Sequence, residues 1–296
     1  MRILITGSNG LLGQKIVTLC LVNKVDFLAT SLGENRNQDC PSANYNELDI
    51  TNENEVSQVF ERFKPTHVIH TAAITNVDYC EQHQKECILV NTTAVEYLFK
   101  ATKSIKAHFQ LLSTDFVFDG KKGNYSETDE VNPLSIYGKS KVNAEIILTE
   151  SDYTNWSIVR TIIVYGTGNN LSRSNIICWA KDALKKGENL SIIDDQYRAP
   201  TWAMDLAWAC LEICQLNKNG IYHISGPETM SIFEIVTRIA KHFSYSTDNL
   251  NRSNSKDLNQ PAKRPPKTGF NLSKAIGELK YNPLTLEKTL DLLKNK

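Results

Sequence analysis

The chain has 296 residues, of which 41% are hydrophobic and 22% are charged, a composition that excludes a disordered or collagen-like protein. Lys plus Arg and Asp plus Glu each number 33, so the formal net charge is zero and provides no general attraction for nucleic acid or an anionic membrane. The length accommodates one large α/β domain with a smaller appended lobe.

Seven cysteines are scattered along the chain without the paired spacing of a metal site. An odd, unpatterned set predicts reduced thiols, as in a cytoplasmic protein, and no bound metal. The first residues enter an apolar run directly, without the basic and apolar regions of a secretion signal. No apolar run approaches the roughly 20 residues that a membrane span needs, so we expect neither a membrane nor a nucleic acid as partner.

The first half of the chain alternates short apolar runs, which predict strands, with segments of helical periodicity. The predicted elements are strand Arg2–Thr6, helix Leu11–Val22, strand Val25–Thr30, strand Tyr45–Leu48, helix Glu53–Phe63, strand His67–His70, helix Gln82–Thr102 and strand His108–Ser113. This alternation is typical of a parallel sheet covered by helices on both faces.

The second half is less regular and begins with a polar loop over Asp119–Asn132. The elements predicted after it are helix Tyr137–Thr149, strand Ser157–Arg160, helix Ser174–Lys186, strand Leu190–Ile193, helix Trp202–Gln215, strand Ile221–Ile224 and helix Ile232–Phe243, followed by an exposed connection over Ser244–Lys267. We expect a doubly wound Rossmann-type domain over residues 1–165 and a smaller C-terminal α/β substrate lobe over residues 166–296. Residues 202–224 are expected to return to the first domain.

A glycine loop joins the first predicted strand to the first predicted helix. Gly7, Gly10 and Gly13 are spaced G-x-x-G-x-x-G. In a dinucleotide site the first glycine permits a tight turn, the second lets the backbone approach a pyrophosphate, and the third lets helix and strand pack closely. A glycine triplet alone also occurs at sharp turns, but its position at the first strand-helix junction predicts a dinucleotide site.

The end of the second predicted strand bears on which nicotinamide cofactor binds. NAD sites usually carry an acid there to bind the adenosine ribose, and the sequence from Thr30 to Gly33 has none. Ser31 and Arg36 are candidates to contact a 2′-phosphate, although Arg36 would also suit a solvated loop. The pattern favours NADPH, with NADH as the alternative.

Tyr137 and Lys141 are four residues apart, so they project from one face of their predicted helix. A fixed cation stabilises the phenolate form of a tyrosine and lowers the phenol pKa from about 10 toward neutrality, so that the phenol can exchange a proton. The alternative is an exposed helical pair. Ser113 and Thr114 follow the fifth strand at the carboxyl edge of the sheet, where such folds bind ligands, and this favours a catalytic pair.

Further blocks in the same order complete a family pattern. They are Leu48-Asp49-Ile50-Thr51, Thr71-Ala72-Ala73, Val90-Asn91, Ser113-Thr114-Asp115-Phe116-Val117-Phe118-Asp119-Gly120, Tyr137-Gly138-Lys139-Ser140-Lys141, Arg160-Thr161, Val164-Tyr165-Gly166 and Pro200-Thr201. Over nearly its whole length the chain resembles the extended short-chain dehydrogenase/reductases and, within them, the dTDP-4-dehydrorhamnose reductase family. That family also contains the regulatory β subunit of methionine adenosyltransferase.

The resemblance implies NAD(P)H-dependent reduction of a 4-keto sugar nucleotide, most closely dTDP-4-dehydrorhamnose to dTDP-L-rhamnose for cell-surface polysaccharide synthesis. In the family's scheme Thr114 binds the keto oxygen, Tyr137 donates the proton, and Lys141 orients the cofactor ribose and lowers the pKa of Tyr137. The implied cofactor contacts are Gly7, Asn9, Gly10, Leu11, Leu12, Gly13, Ser31, Arg36, Asp49, Ile50, Thr71, Ala72, Ala73, Asn91, Tyr137 and Lys141. The implied substrate contacts are Thr114, Asp115, Phe116, Ile163, Asn175, Arg198 and Arg264.

Departures from the family pattern leave alternatives open. Phe116 argues against a 4,6-dehydratase, because those relatives carry Glu there. Ile163 stands where the reductases typically carry Trp, and Arg198 stands where they usually carry Gly, as in the regulatory-subunit branch. Arg198 and Arg264 are predicted either to clamp a diphosphate or to be surface arginines.

Two other functions are considered. One is a sugar-nucleotide epimerase, which would retain Tyr137 and Lys141 and keep its nicotinamide cofactor tightly bound. The other is a cofactor-binding regulatory subunit of an enzyme partner. Many relatives pair through the helix that carries Tyr137 and Lys141, so the resemblance also implies a homodimer.

Overall fold

A seven-stranded parallel sheet forms the centre of the computed structural model, which describes residues 1–294. The strands in chain order are β1 (Arg2–Thr6), β2 (Asp26–Ser31), β3 (Tyr45–Glu47), β4 (His67–His70), β5 (His108–Thr114), β6 (Trp156–Thr161), β7 (Val164–Tyr165), β8 (Leu190–Ile193), β9 (Tyr197–Arg198), β10 (Thr201–Trp202), β11 (Gly220–Ile224), β12 (Met230–Ser231), β13 (Leu250–Ser253) and β14 (Lys267–Thr268). The central sheet has the order β11-β6-β5-β4-β1-β2-β3.

Strand β1 lies in the interior of this sheet. Ile3 pairs with Phe27 of β2 on one side and with His67 of β4 on the other. The side chains of Ile3, Leu4 and Ile5 are fully buried, as expected of a parallel strand covered on both faces. The strand order reverses at β1, so ligands are expected beyond the carboxyl ends of β1 and β4. The predicted doubly wound Rossmann-type fold is confirmed.

Helices cover both faces of the sheet. They are α1 (Leu11–Val22), α2 (Glu53–Phe63), α3 (Val77–Gln82), α4 (Gln84–Ile88), α5 (Ala94–Ser104), α6 (Ile136–Thr149), α7 (Ile176–Lys185), α8 (Ala203–Gln215), α9 (Ile232–His242), α10 (Ser273–Leu279) and α11 (Leu286–Leu293). Ile16 of α1 and Leu206 of α8 share a buried core on one face, and Val59 of α2, Leu98 of α5 and Leu148 of α6 share one on the other. Each such buried aliphatic side chain stabilises the fold by about 2 kcal/mol relative to exposure.

The single helix predicted over Gln82–Thr102 is confirmed apart from its ends, since helical residues run without a break from Gln84 to Ser104. Helices α4 and α5 are consecutive parts of it, joined by a π-helical turn over Leu89–Thr93. In that turn Asn91 accepts a hydrogen bond from the Ile74 backbone N–H at 2.8 Å and donates one to the Ile74 carbonyl at 2.9 Å. The amide thereby satisfies two backbone groups of the loop after β4, a tertiary contact that helical periodicity does not reveal.

Short strands and helices of the C-terminal part form a second core. Strand β13 pairs in parallel with β8, and β9 pairs with β12 and β14. Helices α7, α9 and α11 bury Ile177, Ile239 and Leu290 beside them. The expectation of an exposed connection over Ser244–Lys267 is therefore wrong in part, because β13 lies within it. Strand β11 lies beside β6 in the central sheet, and the division into domains at residue 165 stays a prediction.

Trp202 belongs to β10, and α8 begins at Ala203, one residue later than predicted. No helix within residues 1–294 is long and apolar enough to cross a lipid bilayer.

Candidate active site

The predicted site residues meet at the carboxyl ends of three neighbouring strands. Gly7 follows β1, Thr71 follows β4, and Thr114 ends β5. Because β1, β4 and β5 are adjacent and parallel, these ends lie along one edge of the sheet. Helix α6 brings Tyr137 and Lys141 to the same edge.

The glycine loop leaves room for backbone and not for side chains. Gly7 has a φ of +72°, and a Cβ added there would lie 2.6 Å from the backbone nitrogen of Ala72. A Cβ at Gly13 would lie 2.6 Å from the Cα of Ser8. The loop therefore packs tightly against both the turn after β4 and the start of α1.

Two features of this loop suit a phosphate group. Gly10 precedes α1 and offers no side-chain cap, so the N–H groups of the first helical turn are left for a ligand. The hydroxyl of Ser8 is buried without a hydrogen-bond partner among the described residues. Unpaired donors at a helix N-terminus fit the pyrophosphate of a dinucleotide.

Other predicted cofactor contacts shape the neighbouring loops. The Thr71 hydroxyl donates to the carbonyl of Thr6 at 2.7 Å. Asp49, after β3, accepts hydrogen bonds from the backbone N–H and the hydroxyl of Thr51 at 2.9 and 2.7 Å. Ile50 is buried beside it. Direct contact of these residues with a cofactor stays a prediction.

Tyr137 and Lys141 are not an exposed helical pair, since their side chains are only 8% and 2% exposed. Burial lowers the pKa of Lys141 to about 8, against the opposing charges of Glu145 and Cys87. Among the described residues none accepts a hydrogen bond from its Nζ. The Nζ donors are therefore available to a ligand, which fits the hydroxyls of a cofactor ribose.

The phenol of Tyr137 lies among groups with opposing effects on its pKa. Burial raises the pKa, the Thr114 hydroxyl lowers it, and the Asp115 charge raises it further. Arg173 acts as an opposing cation and lowers the pKa. The expected effect of Lys141 on Tyr137 stays a prediction. Arg173 was missed in the sequence because it lies in an irregular loop without a motif.

Arg173 connects the segment before α7 with the loop after β4. It precedes α7, and its guanidinium donates to the hydroxyl of Thr75 in the loop after β4. Its side chain is exposed. A cation in this position can contact an anionic substrate above Tyr137.

Asp115 is buried, with 3% exposure, and forms a hydrogen bond with Thr114. The Thr114 hydroxyl donates to one Asp115 oxygen at 3.1 Å. The other oxygen accepts a hydrogen bond from Thr268 and lies 3.7 Å from Nε of Arg198. Both carboxylate oxygens are thus engaged within the chain, so direct contact between Asp115 and substrate would require one of these bonds to break.

Arg198 and Arg264 are also engaged within the chain. The interpretation of Arg198 as a surface arginine is wrong, because it is 2% exposed and donates to the Pro265 carbonyl at 2.7 Å. Arg264 is half-buried and donates to both oxygens of Asp78 at 2.7 and 3.1 Å. These partners hold residues 262–268 against the first part of the chain, and a diphosphate clamp by either arginine stays a prediction.

Three further predicted substrate contacts occupy defined positions near the cleft. Phe116 lies edge-on to Tyr137, with 5.8 Å between ring centroids. Ile163 has a φ of +35°, a strained conformation for a β-branched residue. Asn175 caps α7 by accepting from the Cys178 N–H at 3.1 Å, and it donates to the Gly166 carbonyl at 2.8 Å. Its amide therefore orders the loop before α7.

The family model of the RmlD substrate binding domain matches residues 1–293. The chain belongs to this family. It is 32% identical to a dTDP-4-dehydrorhamnose reductase of Aggregatibacter actinomycetemcomitans, over 98% of this chain and 97% of that protein. The family predicted from the sequence motifs is therefore confirmed.

One further similar protein and one similar crystal structure are relevant to function. The chain is 29% identical to methionine adenosyltransferase 2 subunit beta of Xenopus laevis, over 84% of this chain and 74% of that protein. It also matches the crystal structure of a dTDP-4-dehydrorhamnose reductase from Bacillus anthracis in complex with NADP. The TM-score is 0.81 at 26% identity, over 98% of this chain and 97% of that one.

Proposed function

We propose that this protein is an NAD(P)H-dependent reductase of the 4-keto group of a deoxy-sugar nucleotide, with dTDP-4-dehydrorhamnose as substrate and dTDP-L-rhamnose as product. The observation that carries the proposal is the burial of Tyr137 and Lys141 beside Thr114, at the sheet edge that also holds the glycine loop. The near full-length similarity to a dTDP-4-dehydrorhamnose reductase supports it.

A nicotinamide cofactor bound at the glycine loop supplies the hydride for the sugar C4. NADPH is the expected cofactor and NADH the alternative, in keeping with the NADP held by the Bacillus anthracis relative. Gly7, Gly10 and Gly13 form the phosphate cradle, and the Lys141 ammonium binds the nicotinamide ribose. The buried ammonium gains there the hydrogen-bond acceptors that the described residues do not provide.

Tyr137 donates the proton to the oxygen that develops negative charge at C4. Its raised pKa keeps the phenol protonated at neutral pH, which suits a proton donor in the direction of reduction. Thr114 positions this phenol. For Thr114 to donate to the keto oxygen as well, its hydroxyl must release Asp115.

The substrate lies above this site, between the loop after β4 and residues 163–175. We assign its diphosphate to the neighbourhood of Arg173, because the donors of Arg198 and Arg264 already bind carbonyl and carboxylate groups of the chain.

The homodimer through α6 stays a prediction, for which Ile146 provides an apolar side chain 40% exposed on that helix. A cytoplasmic location is supported by seven cysteines that are all free.

A regulatory subunit is the second candidate function. It is favoured by the 29% identity to methionine adenosyltransferase 2 subunit beta. Retention of Tyr137 and Lys141 fits catalysis better, because a subunit that only binds a cofactor has no need of a proton donor. An epimerase would show no net consumption of NADPH.

The deciding experiment follows NADPH absorbance at saturating dTDP-4-dehydro-6-deoxy-L-mannose, generated in place by an epimerase from the 4-keto-glucose precursor, with NADH in parallel. Sugar-dependent oxidation of either cofactor is the expected result. A protein that binds NADPH but consumes none with this sugar contradicts the assigned substrate. Copurification with a methionine adenosyltransferase would then favour the regulatory function.

A further inference from the structure

An acidic side chain reaches the end of β2 from the neighbouring strand. The residues that end β2 include no acid, but Ser31 pairs in register with Glu47 of β3. The carboxylate of Glu47 accepts a hydrogen bond from the backbone N–H of Gly33 at 3.0 Å. Strand pairing thus places a negative charge beside the last residue of β2, where a dinucleotide site that binds NAD carries its acid.

Glu47 faces the glycine loop. Residues paired across parallel strands project to the same face of a sheet, and the Ser31 hydroxyl accepts a hydrogen bond from the Asn9 N–H at 3.4 Å. Tyr45, two residues before Glu47, projects the same way, and its hydroxyl lies 3.5 Å from the Asn9 amide nitrogen. The carboxylate therefore lies at the adenosine end of the predicted cofactor cleft.

An opposite charge is held at the same end of the cleft. The backbone N–H of Arg36 donates to the Asn9 side chain at 2.8 Å, and that side chain also donates to the Glu34 carbonyl at 2.8 Å. These two bonds hold the loop after β2 over the glycine loop. Within residues 1–294 no carboxylate pairs with the Arg36 guanidinium.

The Tyr45 phenol lies near both charges. Burial raises the pKa of Tyr45, the Glu47 carboxylate adds to that rise, and the Arg36 cation opposes it. A ligand group beside the Tyr45 hydroxyl therefore interacts with the negative charge of Glu47 and the positive charge of Arg36. The 2′ position of the adenosine ribose is the part of a nicotinamide cofactor expected here.

We propose that Glu47 sets the cofactor selectivity of this protein by binding the adenosine ribose hydroxyls and opposing the attraction of Arg36 for a 2′-phosphate. One carboxylate oxygen is fixed by Gly33, and the other is left to accept from a ribose hydroxyl. Arg36 favours NADPH, and Glu47 limits that preference so that NADH also binds. The inference rests on the proposed nicotinamide site but not on the identity of the sugar.

The test measures the dissociation constants of NADPH and NADH by fluorescence titration, without any sugar. Glu47→Gln keeps the shape and removes the charge, so it should bind NADPH about tenfold more tightly and NADH about twofold more weakly. Arg36→Gln should weaken NADPH about tenfold and leave NADH unchanged. Glu61→Gln, at an exposed carboxylate of α2, is the matched control and should change neither constant.

Calorimetry with 2′,5′-ADP and with ADP provides a second measurement that involves no nicotinamide. Glu47→Gln should favour 2′,5′-ADP by about the same factor as it favours NADPH. An unchanged ratio of NADPH to NADH affinity in Glu47→Gln, with both cofactors still bound, overturns the role of Glu47 alone. A wild-type protein that binds neither cofactor overturns the proposed function together with this inference.

Discussion

Thr114 donates its hydroxyl hydrogen to the carboxylate of the next residue, Asp115, over 3.1 Å. The hydrogen that the family scheme assigns to the substrate keto oxygen is therefore used within the chain. Asp115 is held in turn by Thr268 and Arg198, which belong to the C-terminal part of the sequence. The position of the Thr114 side chain, at the end of β5, thus depends on two residues far along the chain. Arg198 follows Thr114 by 84 positions, and Thr268 follows it by 154.

Asp115→Asn should reduce both turnover and stability. Removal of one partner from a buried charged pair typically costs about 3 kcal/mol, because the remaining charge loses its compensation. Here Arg198 keeps its bond to the Pro265 carbonyl but loses its carboxylate. Urea unfolding should show the loss of stability, and the turnover number should fall more than the affinity for NADPH.

Asp26→Asn is the control for this prediction, since Asp26 pairs with Arg2 at the surface and such pairs contribute about 0–1 kcal/mol. Equal unfolding midpoints for the Asp115 variant and the wild-type protein would contradict a supporting role for Asp115.

Tyr137→Phe should lower turnover by about 10²–10⁴-fold, the usual contribution of a positioned proton donor. The variant keeps the ring that packs against Phe116 and leaves the glycine loop unchanged. NADPH affinity should therefore stay nearly constant. Turnover and NADPH binding are measured on the same preparation, and a variant with wild-type turnover would rule out Tyr137 as the proton donor.

Lys141→Met should stabilise the protein while reducing its activity. Burial holds the Lys141 pKa at about 8, below its ordinary value of 10.5. At neutral pH the folded protein therefore keeps a charge that is costly to bury, and its removal should raise the free energy of unfolding by about 3 kcal/mol.

The pH dependence of this effect has a defined sign. Between pH 8 and pH 10.5 the unfolded chain retains a proton on Lys141 that the folded protein has released. The contribution of Lys141 to the free energy of unfolding therefore rises with pH across that window. The difference between Lys141→Met and wild type should shrink from pH 7 to pH 10. A difference independent of pH would show that charge burial is not its cause.

Glu145→Ala should destabilise the core beneath the site. Glu145 accepts hydrogen bonds from Ser113 at 2.5 Å and from Arg160 at 2.6 Å, and all three side chains are buried. The unpaired Arg160 should cost about 3–5 kcal/mol in urea unfolding. The double variant Glu145→Leu with Arg160→Met should recover most of that loss, whereas additive losses would argue against charge pairing.

Local sequence patterns were sufficient for the alternation of strands and helices, the glycine loop and the Tyr137-Lys141 pair. Each depends on residues close in sequence: apolar periodicity, a turn that only glycine allows, or a spacing of four on one helix. The π-helical turn inside the helix predicted over Gln82–Thr102 has no such local pattern, because Asn91 there bonds to Ile74, a residue of a preceding loop. Arg173 likewise comes close enough to lower the pKa of Tyr137 only in the folded chain.

Short-range patterns were enough to predict the Rossmann-type fold and the family, and to single out the glycine loop and two residues of α6. Apolar periodicity and turn chemistry are properties of short segments, so they can be recognised without knowledge of the tertiary contacts. No local pattern indicates the contact between Asp115 and Arg198 or the position of Glu47 beside Ser31. These relationships join distant segments, and burial and strand pairing create them only after the chain has folded.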